Sequence, residues 1–170
     1  MAKWRWLHDQ STIRTRNSRG KSNRPEGKKG SKRHLLADGI GVPLAIVITG
    51  ANRHDVSQLE TLLDSIIIER PDPFEHPQHL CLDAGYTGEP ALEAVVLRGF
   101  IPHIRSRGEE KNEKNQNPTF KARRWVVEVT HSWMNRFRKL LVRFEKLTVS
   151  YKALLMFSCA FIALRKVGVI

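Results

Sequence analysis

Apolar and polar positions follow two different periods along this chain, and the switches between them mark out its elements. Arg33 to Ala37 and Pro43 to Thr49 are short apolar-rich runs joined by Asp38-Gly39-Ile40-Gly41, a turn sequence rich in residues that accept positive φ, which predicts a hairpin. From Val56 to Ile68 the period lengthens: Val56, Leu59, Leu62, Leu63, Ile66 and Ile67 fall at spacings of three and four, the stripe of a helix, which Pro71 and Pro73 should stop. Leu80 to Leu82 then reads as a buried strand ending in Asp83 and broken by Gly85. A helix from Glu89 to Arg98 and a strand from Phe100 to Ile104 complete a βαβ unit. Ser106 to Thr119 is polar and predicts a loop, followed by a long helix from about Phe120 to Lys146 and a last helix from about Tyr151 to Val167. Ahead of the hairpin, Trp4 to Thr15 alternates loosely and offers a first strand that would pair with Arg33 to Ala37. The order predicts an α/β domain, a mixed sheet covered by helices.

Length and charge add a partner to this picture. The 170 residues, 41% of them hydrophobic, suffice for one domain spanning the whole chain. The formal charge is +12, which points to a polyanion and above all to nucleic acid. Most of that excess lies in Arg14 to Arg33, where nine Lys and Arg face only Glu26. With Gly20, Pro25, Gly27 and Gly30 among them, this stretch predicts a mobile basic arm making phosphate contacts. The start carries no apolar run of the secretory kind. Cys81 and Cys159 sit inside apolar runs and are read as small buried hydrophobes, as in a reduced, intracellular protein. Ala153 to Leu164 is too short to span a bilayer and is closed by Arg165 and Lys166, so it predicts a buried core helix and no membrane association.

Two carboxylates stand where chemistry could be done. Asp83 follows a buried strand directly, at the carboxyl end where open α/β sheets place ligands; a turn-capping carboxylate would occupy the same place. On the long helix Val126, Val129, Trp133, Phe137, Leu140 and Phe144 define an apolar stripe, and Glu128 falls opposite it. Its companions on that face are Lys121, Arg124, His131, Asn135 and Lys139, so it is either a working acid on a basic face or half of an ordinary i, i+4 pair with Arg124. Carboxylates gathered from a strand, a strand end and a helix would make an oxygen-rich site suited to Mg²⁺ or Mn²⁺ and to two-metal phosphoryl transfer. The seven histidines show no zinc-type spacing.

Four blocks of sequence carry a resemblance. Lys29-Gly30-Ser31-Lys32-Arg33-His34-Leu35-Leu36, Gly50-Ala51-Asn52-Arg53-His54-Asp55, His79-Leu80-Cys81-Leu82-Asp83-Ala84-Gly85-Tyr86 and Arg124 through Phe137 together resemble the DDE transposases of insertion sequence family five, over roughly Lys28 to Leu164. The resemblance implies an RNase H-like mixed sheet flanked by helices and a metal-dependent transposase that cleaves and joins DNA strands at insertion-sequence ends. It makes Asp83 the second acid, Glu128 the third, and Arg124 the basic residue one turn before it. Asp9, in His8-Asp9-Gln10-Ser11 where the family has Asp followed by Gly and a small residue, is the match for the first acid. Asp38 and Asp55 are the alternatives, better explained as a turn residue and a helix N-cap. Asn135 stands where relatives carry a basic residue, with Arg136 beside it.

Two ions, Mg²⁺ or Mn²⁺, held by Asp9, Asp83 and Glu128 are then expected, with Lys28, Lys29, Lys32, Arg33, Arg105, Arg107, Arg124, Arg136 and Lys139 as candidate DNA contacts. Relatives carry a DNA-recognition region ahead of the first acid. Here only eight residues precede Asp9, so an upstream-frame polypeptide is expected to supply that region. Double-stranded DNA is the expected substrate, a homo-oligomer on DNA the expected assembly, and the bacterial cytoplasm, at the nucleoid, the expected location. A truncated relic that binds nucleic acid without catalysis and an RNase H-like nuclease are the competing readings.

Overall fold

Residues 11–17, 30–86, 88–104 and 124–169 are described by the computed structural model of the chain. They form one five-stranded sheet in the order β3-β2-β1-β4-β5, from β1 (Ser11–Asn17), β2 (Ser31–Ala37), β3 (Pro43–Gly50), β4 (Gln78–Leu82) and β5 (Phe100–Ile104). β1, β2 and β3 are joined as an antiparallel meander, while β4 and β5 run parallel to β1 and to each other. The helices are α1 (Leu59–Asp64), α2 (Glu89–Val96), α3 (Arg124–Met134), α4 (Arg138–Leu141) and α5 (Thr148–Val167), with one-turn 3₁₀ segments at Val56–Gln58 and Ala84–Tyr86. This is the RNase H-like mixed sheet flanked by helices that the sequence implies.

Alternation along the strands sorts side chains between two cores. Leu36, Ala45, Leu80, Leu82 and Phe100 meet α1 and α2 through Leu59, Leu62, Leu63, Ala91, Ala94 and Val95. On the opposite face Leu35, Ala37 and Ile46 meet Val127, Met134, Leu140, Tyr151, Leu155 and Ile162 of the last three helices. The hairpin turn is held as its sequence predicts: the Asp38 carboxylate accepts the N–H groups of Ile40 (3.0 Å) and Val42 (2.7 Å).

The first strand pairs with β2 as expected, Ile13 opposite Leu36 and Arg16 opposite Arg33. The described strand begins at Ser11, and the ends of the expected arm are themselves ladder: Arg14 and Arg16 lie in β1, Lys32 and Arg33 in β2. The part of the arm between them lies outside the described residues, as does the expected loop Ser106 to Thr119.

Three helix expectations are corrected. The helix expected from Val56 to Ile68 is a 3₁₀ turn followed by six residues of α1, ending at Asp64 and leaving Ile67 exposed. Asp55 precedes that turn without capping it, because its carboxylate is engaged by Lys32.

The long helix expected to reach Lys146 stops at Met134. Its N–H ladder tightens, Arg136 and Phe137 bonding to the carbonyls three residues back, and extended Phe137 then starts the short α4. The interruption lets the chain turn around Arg33, whose guanidinium bonds the Asn135 side-chain oxygen and the Leu140 carbonyl. The buried stripe of α3 is Val126, Val127, Thr130, His131 and Met134, so His131 belongs to the core side and Phe144 is exposed.

The last helix is also longer and less enclosed than expected. It runs 20 residues, buries Tyr151, Leu155, Ser158 and Ile162, and ends at Gly168, whose positive φ of 79° allows Val169 N–H to reach the Leu164 carbonyl. Its outer face, with Val149, Met156 and Phe157, is apolar and exposed, and the helix is long and apolar enough to cross a bilayer. Its inner face, however, is seated on the sheet through Tyr151.

Candidate active site

Leu80 and Leu82 point into the α1–α2 core, so the alternate positions His79 and Cys81 belong to the opposite face, and His79 there lies 2.7 Å from His103 of β5, ring nitrogen to ring nitrogen. Asp83 follows just past the strand end, where the same alternation, continued by one residue, would put it on this side. It is half-buried, and its carbonyl accepts the Tyr86 N–H at 2.9 Å, which closes the turn after the strand. Ile13 of β1 stands opposite Leu82, immediately before Asp83.

Across the sheet, α3 packs on β1 and β2. The Thr130 hydroxyl lies within donating distance of the Gly41 carbonyl (2.9 Å) and the Val126 carbonyl (3.0 Å), pinning the helix to the hairpin turn. A Cβ at Gly41, whose φ is +87°, would sit 3.1 Å from Thr130 Oγ1 and from the Trp133 ring, so a side chain there would be strained and crowded. With the helix fixed in this way, Glu128 lies on its exposed side, with Arg124 one turn earlier at the helix start. Glu128 and Asp83 thus sit on neighbouring elements around β1. Asp9 lies outside the described residues, and among the described residues no three His, Cys, Asp or Glu gather as a metal cluster. Asp83 and Glu128 are themselves the hard oxygen donors that Mg²⁺ or Mn²⁺ takes, so the donor chemistry fits such an ion.

The two alternative acids are accounted for otherwise. Asp38 holds its turn, and Asp55 pairs with Lys32 at 2.6 Å. Lys32 also donates to the Arg53 carbonyl at 3.0 Å and is largely buried. Beside this pair His34 is fully buried and bonded to the Thr49 hydroxyl at 2.8 Å. Burial lowers the His34 pKa to about 4, against a smaller upward pull from Asp55 and with Lys32 adding to the depression. Sequence reading missed this network, although strand alternation places Lys32 and His34 on the same face as Leu36.

The candidate DNA contacts separate into groups. Arg33 is corrected: it is buried at 2% exposure, its Nε donates to the Tyr151 hydroxyl at 2.7 Å, and it ties β2 to α4 and α5 instead of facing a phosphate. Lys32 is turned to the opposite face of the sheet from Arg33 by the same alternation. Arg136 and Lys139 are exposed. Lys28, Lys29, Arg105 and Arg107 lie outside the described residues. Both cysteines are half-buried rather than fully enclosed as expected; Cys159 packs against the second core, and burial pushes its thiol up to about 12.

With this framework in view, comparison with known proteins gives its class. The family model described as the Transposase DDE domain matches residues 3–162, and the chain belongs to that family. It is also 38% identical over 138 residues to a Burkholderia cepacia protein assigned as the transposase for insertion sequence element IS402. That match covers 79% of this chain and 63% of the relative, so the chain spans under two thirds of its relative's length.

Proposed function

We propose that this chain is the catalytic domain of a transposase that cleaves DNA at insertion-sequence ends and joins the freed strands to a target. The observation that carries the proposal is the placement of Asp83 at the end of β4 and of Glu128 on the exposed side of α3, around the first strand of an RNase H-like sheet in a chain of the DDE family. Asp9, Asp83 and Glu128 would hold Mg²⁺ or Mn²⁺, two ions in all. Bound there, such ions supply activation of the attacking oxygen and stabilisation of the leaving one in an in-line phosphoryl transfer.

The chain's own residues do the positioning. β4 and α3 are held rigidly by the two cores, so their carboxylates need little reorganisation when DNA arrives. Arg124, Arg136 and Lys139, with Lys28, Lys29, Arg105 and Arg107, would draw and orient the phosphates of double-stranded DNA by charge. A polypeptide from an upstream frame would add the end-recognition region, with the protein acting as a homo-oligomer on DNA at the bacterial nucleoid.

Supplied with such a region and terminal-repeat DNA, the protein should nick only with Mg²⁺ or Mn²⁺ present. Asp83→Asn and Glu128→Gln should each reduce nicking by at least about 10³-fold, the scale of losing an essential part of a catalytic unit. Nicking that survives both substitutions would exclude the mechanism.

A further inference from the structure

A groove of about 540 Å³ opens between the end of α3 and the outer half of α5, lined by Trp133, Arg136, Phe137, Phe161, Arg165 and Lys166 with Ile162 at its floor. Its volume falls in the ~300–1,000 Å³ range of small-ligand sites. Its composition is unusual for an unfilled core defect, because three aromatic rings are interleaved with three cations and no carboxylate. Phe137 and Phe161 meet edge to face at 5.7 Å. Trp133 is held from behind by Gly41, and the Lys166 ammonium rests 4.3 Å from its ring centroid. The ring is therefore fixed, while the cation above it sits on a flexible, exposed arm.

We propose that this groove binds one unpaired nucleotide of a DNA strand, its base stacked among Trp133, Phe137 and Phe161 and its flanking phosphates on Arg136, Arg165 and Lys166. The proposal rests on the reading that the chain acts on DNA. Charge selects the occupant: Arg124 to Val169 holds nine Lys and Arg against Glu128 and Glu145, so a second copy would bring like charge to this face. The rings select the nucleotide's state. A phosphate alone has no use for an aromatic floor, and base faces inside a duplex are covered by their neighbours, whereas an unpaired base stacks on such rings for about 1–3 kcal/mol. Trp133 follows Glu128 by five residues of the same helix, about 7.5 Å along its axis and about 140° around it, so the groove opens on a different side of α3 from the proposed active site.

The test is binding by the full chain, at low salt, to three probes of about 12 nucleotides: a thymidine strand, the same strand with abasic sites, and a duplex. The thymidine strand is expected to bind about tenfold more tightly than the abasic one, the factor that 1.4 kcal/mol of stacking gives. Phe161→Ala should remove that tenfold preference and leave abasic strand and duplex unchanged. Lys166→Gln, a change at an exposed position, should weaken the thymidine strand about threefold at an unchanged melting temperature. Equal binding of thymidine and abasic strands by the wild-type chain, with the duplex still bound, would overturn the groove assignment alone. Failure to bind any of the three would overturn the DNA reading beneath it. A concentration-dependent dimer that Phe161→Ala dissociates would show that a second copy fills the groove and would also overturn the proposal.

Discussion

The two faces of the sheet are built on different principles. The α1–α2 face is closed mainly by aliphatic packing, with Leu36, Leu62 and Leu80 fully buried beside the His34 and Lys32–Asp55 network, and is clamped at its surface by Arg98, whose guanidinium binds Asp64 at 2.7 Å and Glu60 at 3.1 Å. That contact lowers the Asp64 pKa, the hydrogen bond from Arg98 being the main cause. The α3–α5 face instead buries Arg33, Thr130, His131 and Ser158 among its apolar residues and presents cations outward. Both faces bury apolar residues, but their polar contacts differ: the first holds the Lys32–Asp55 pair and His34 away from α3, and the second uses Thr130 and Arg33 to fix the position of α3 and the turn after it.

This contrast can be broken most strongly from the aliphatic side. Leu62→Ala should cost roughly 4 kcal/mol, the usual scale for emptying a fully buried leucine site, while DNA binding by the molecules still folded stays unchanged. Denaturant titration beside a binding isotherm measures both. An equal loss of affinity per folded molecule would show that the faces are not separable.

Acid tests the same face through His34. Its folded pKa is lowered to about 4 from an ordinary 6.5, so well above pH 6.5 the imidazole is neutral in both states and contributes no pH dependence. As pH falls below 6.5 only the unfolded chain takes up the proton, and stability is lost progressively until about pH 4. The loss is about 3 kcal/mol, at 1.36 kcal/mol per pH unit. His34→Gln should flatten the pH 4–6.5 part of the stability curve, and an unchanged slope in that variant would refute the assignment.

On the α3–α5 face, Arg33→Met should cost about 2 kcal/mol, because the Tyr151 hydroxyl and Leu140 carbonyl lose a buried donor. The slope of DNA affinity against salt should not change, since Arg33 has no solvent face to offer a phosphate. Arg136→Ala with Lys139→Ala should do the reverse, moving stability by less than about 0.5 kcal/mol while reducing the logarithmic salt slope by about 2, one for each phosphate that is no longer neutralised. A flattened slope in the Arg33 variant would return that residue to the DNA surface.

These residues also show what the sequence made legible. The hairpin, β4, β5 and α2 were readable because local period and turn chemistry agree with the tertiary fold there: Asp38 closes its turn whatever packs above it. The placement of Asp83 at a strand end and of Glu128 on the exposed side of its helix was readable from local pattern. Arg33 was not, because it sits in a run of positive charge, and composition does not distinguish a solvated cation from one bonded to Tyr151 across 118 positions of chain. Strand alternation carried the missing signal: Arg33 shares a face with Leu35 and Ala37, and Lys32 shares the other with Leu36. The break after Met134 was illegible for a related reason. No proline or glycine marks it, and the chain turns there around the same distant guanidinium.

The central claim is that Asp83 and Glu128 serve one metal site on the α3 side of the sheet. Titration of the folded chain with Mn²⁺, followed by electron paramagnetic resonance, tests it without requiring recognition of any DNA sequence. The account predicts that Asp83→Asn and Glu128→Gln each remove the same bound Mn²⁺ signal with the melting temperature unchanged, while Leu62→Ala lowers the melting temperature and keeps the signal. Full Mn²⁺ binding in both acid variants would contradict it.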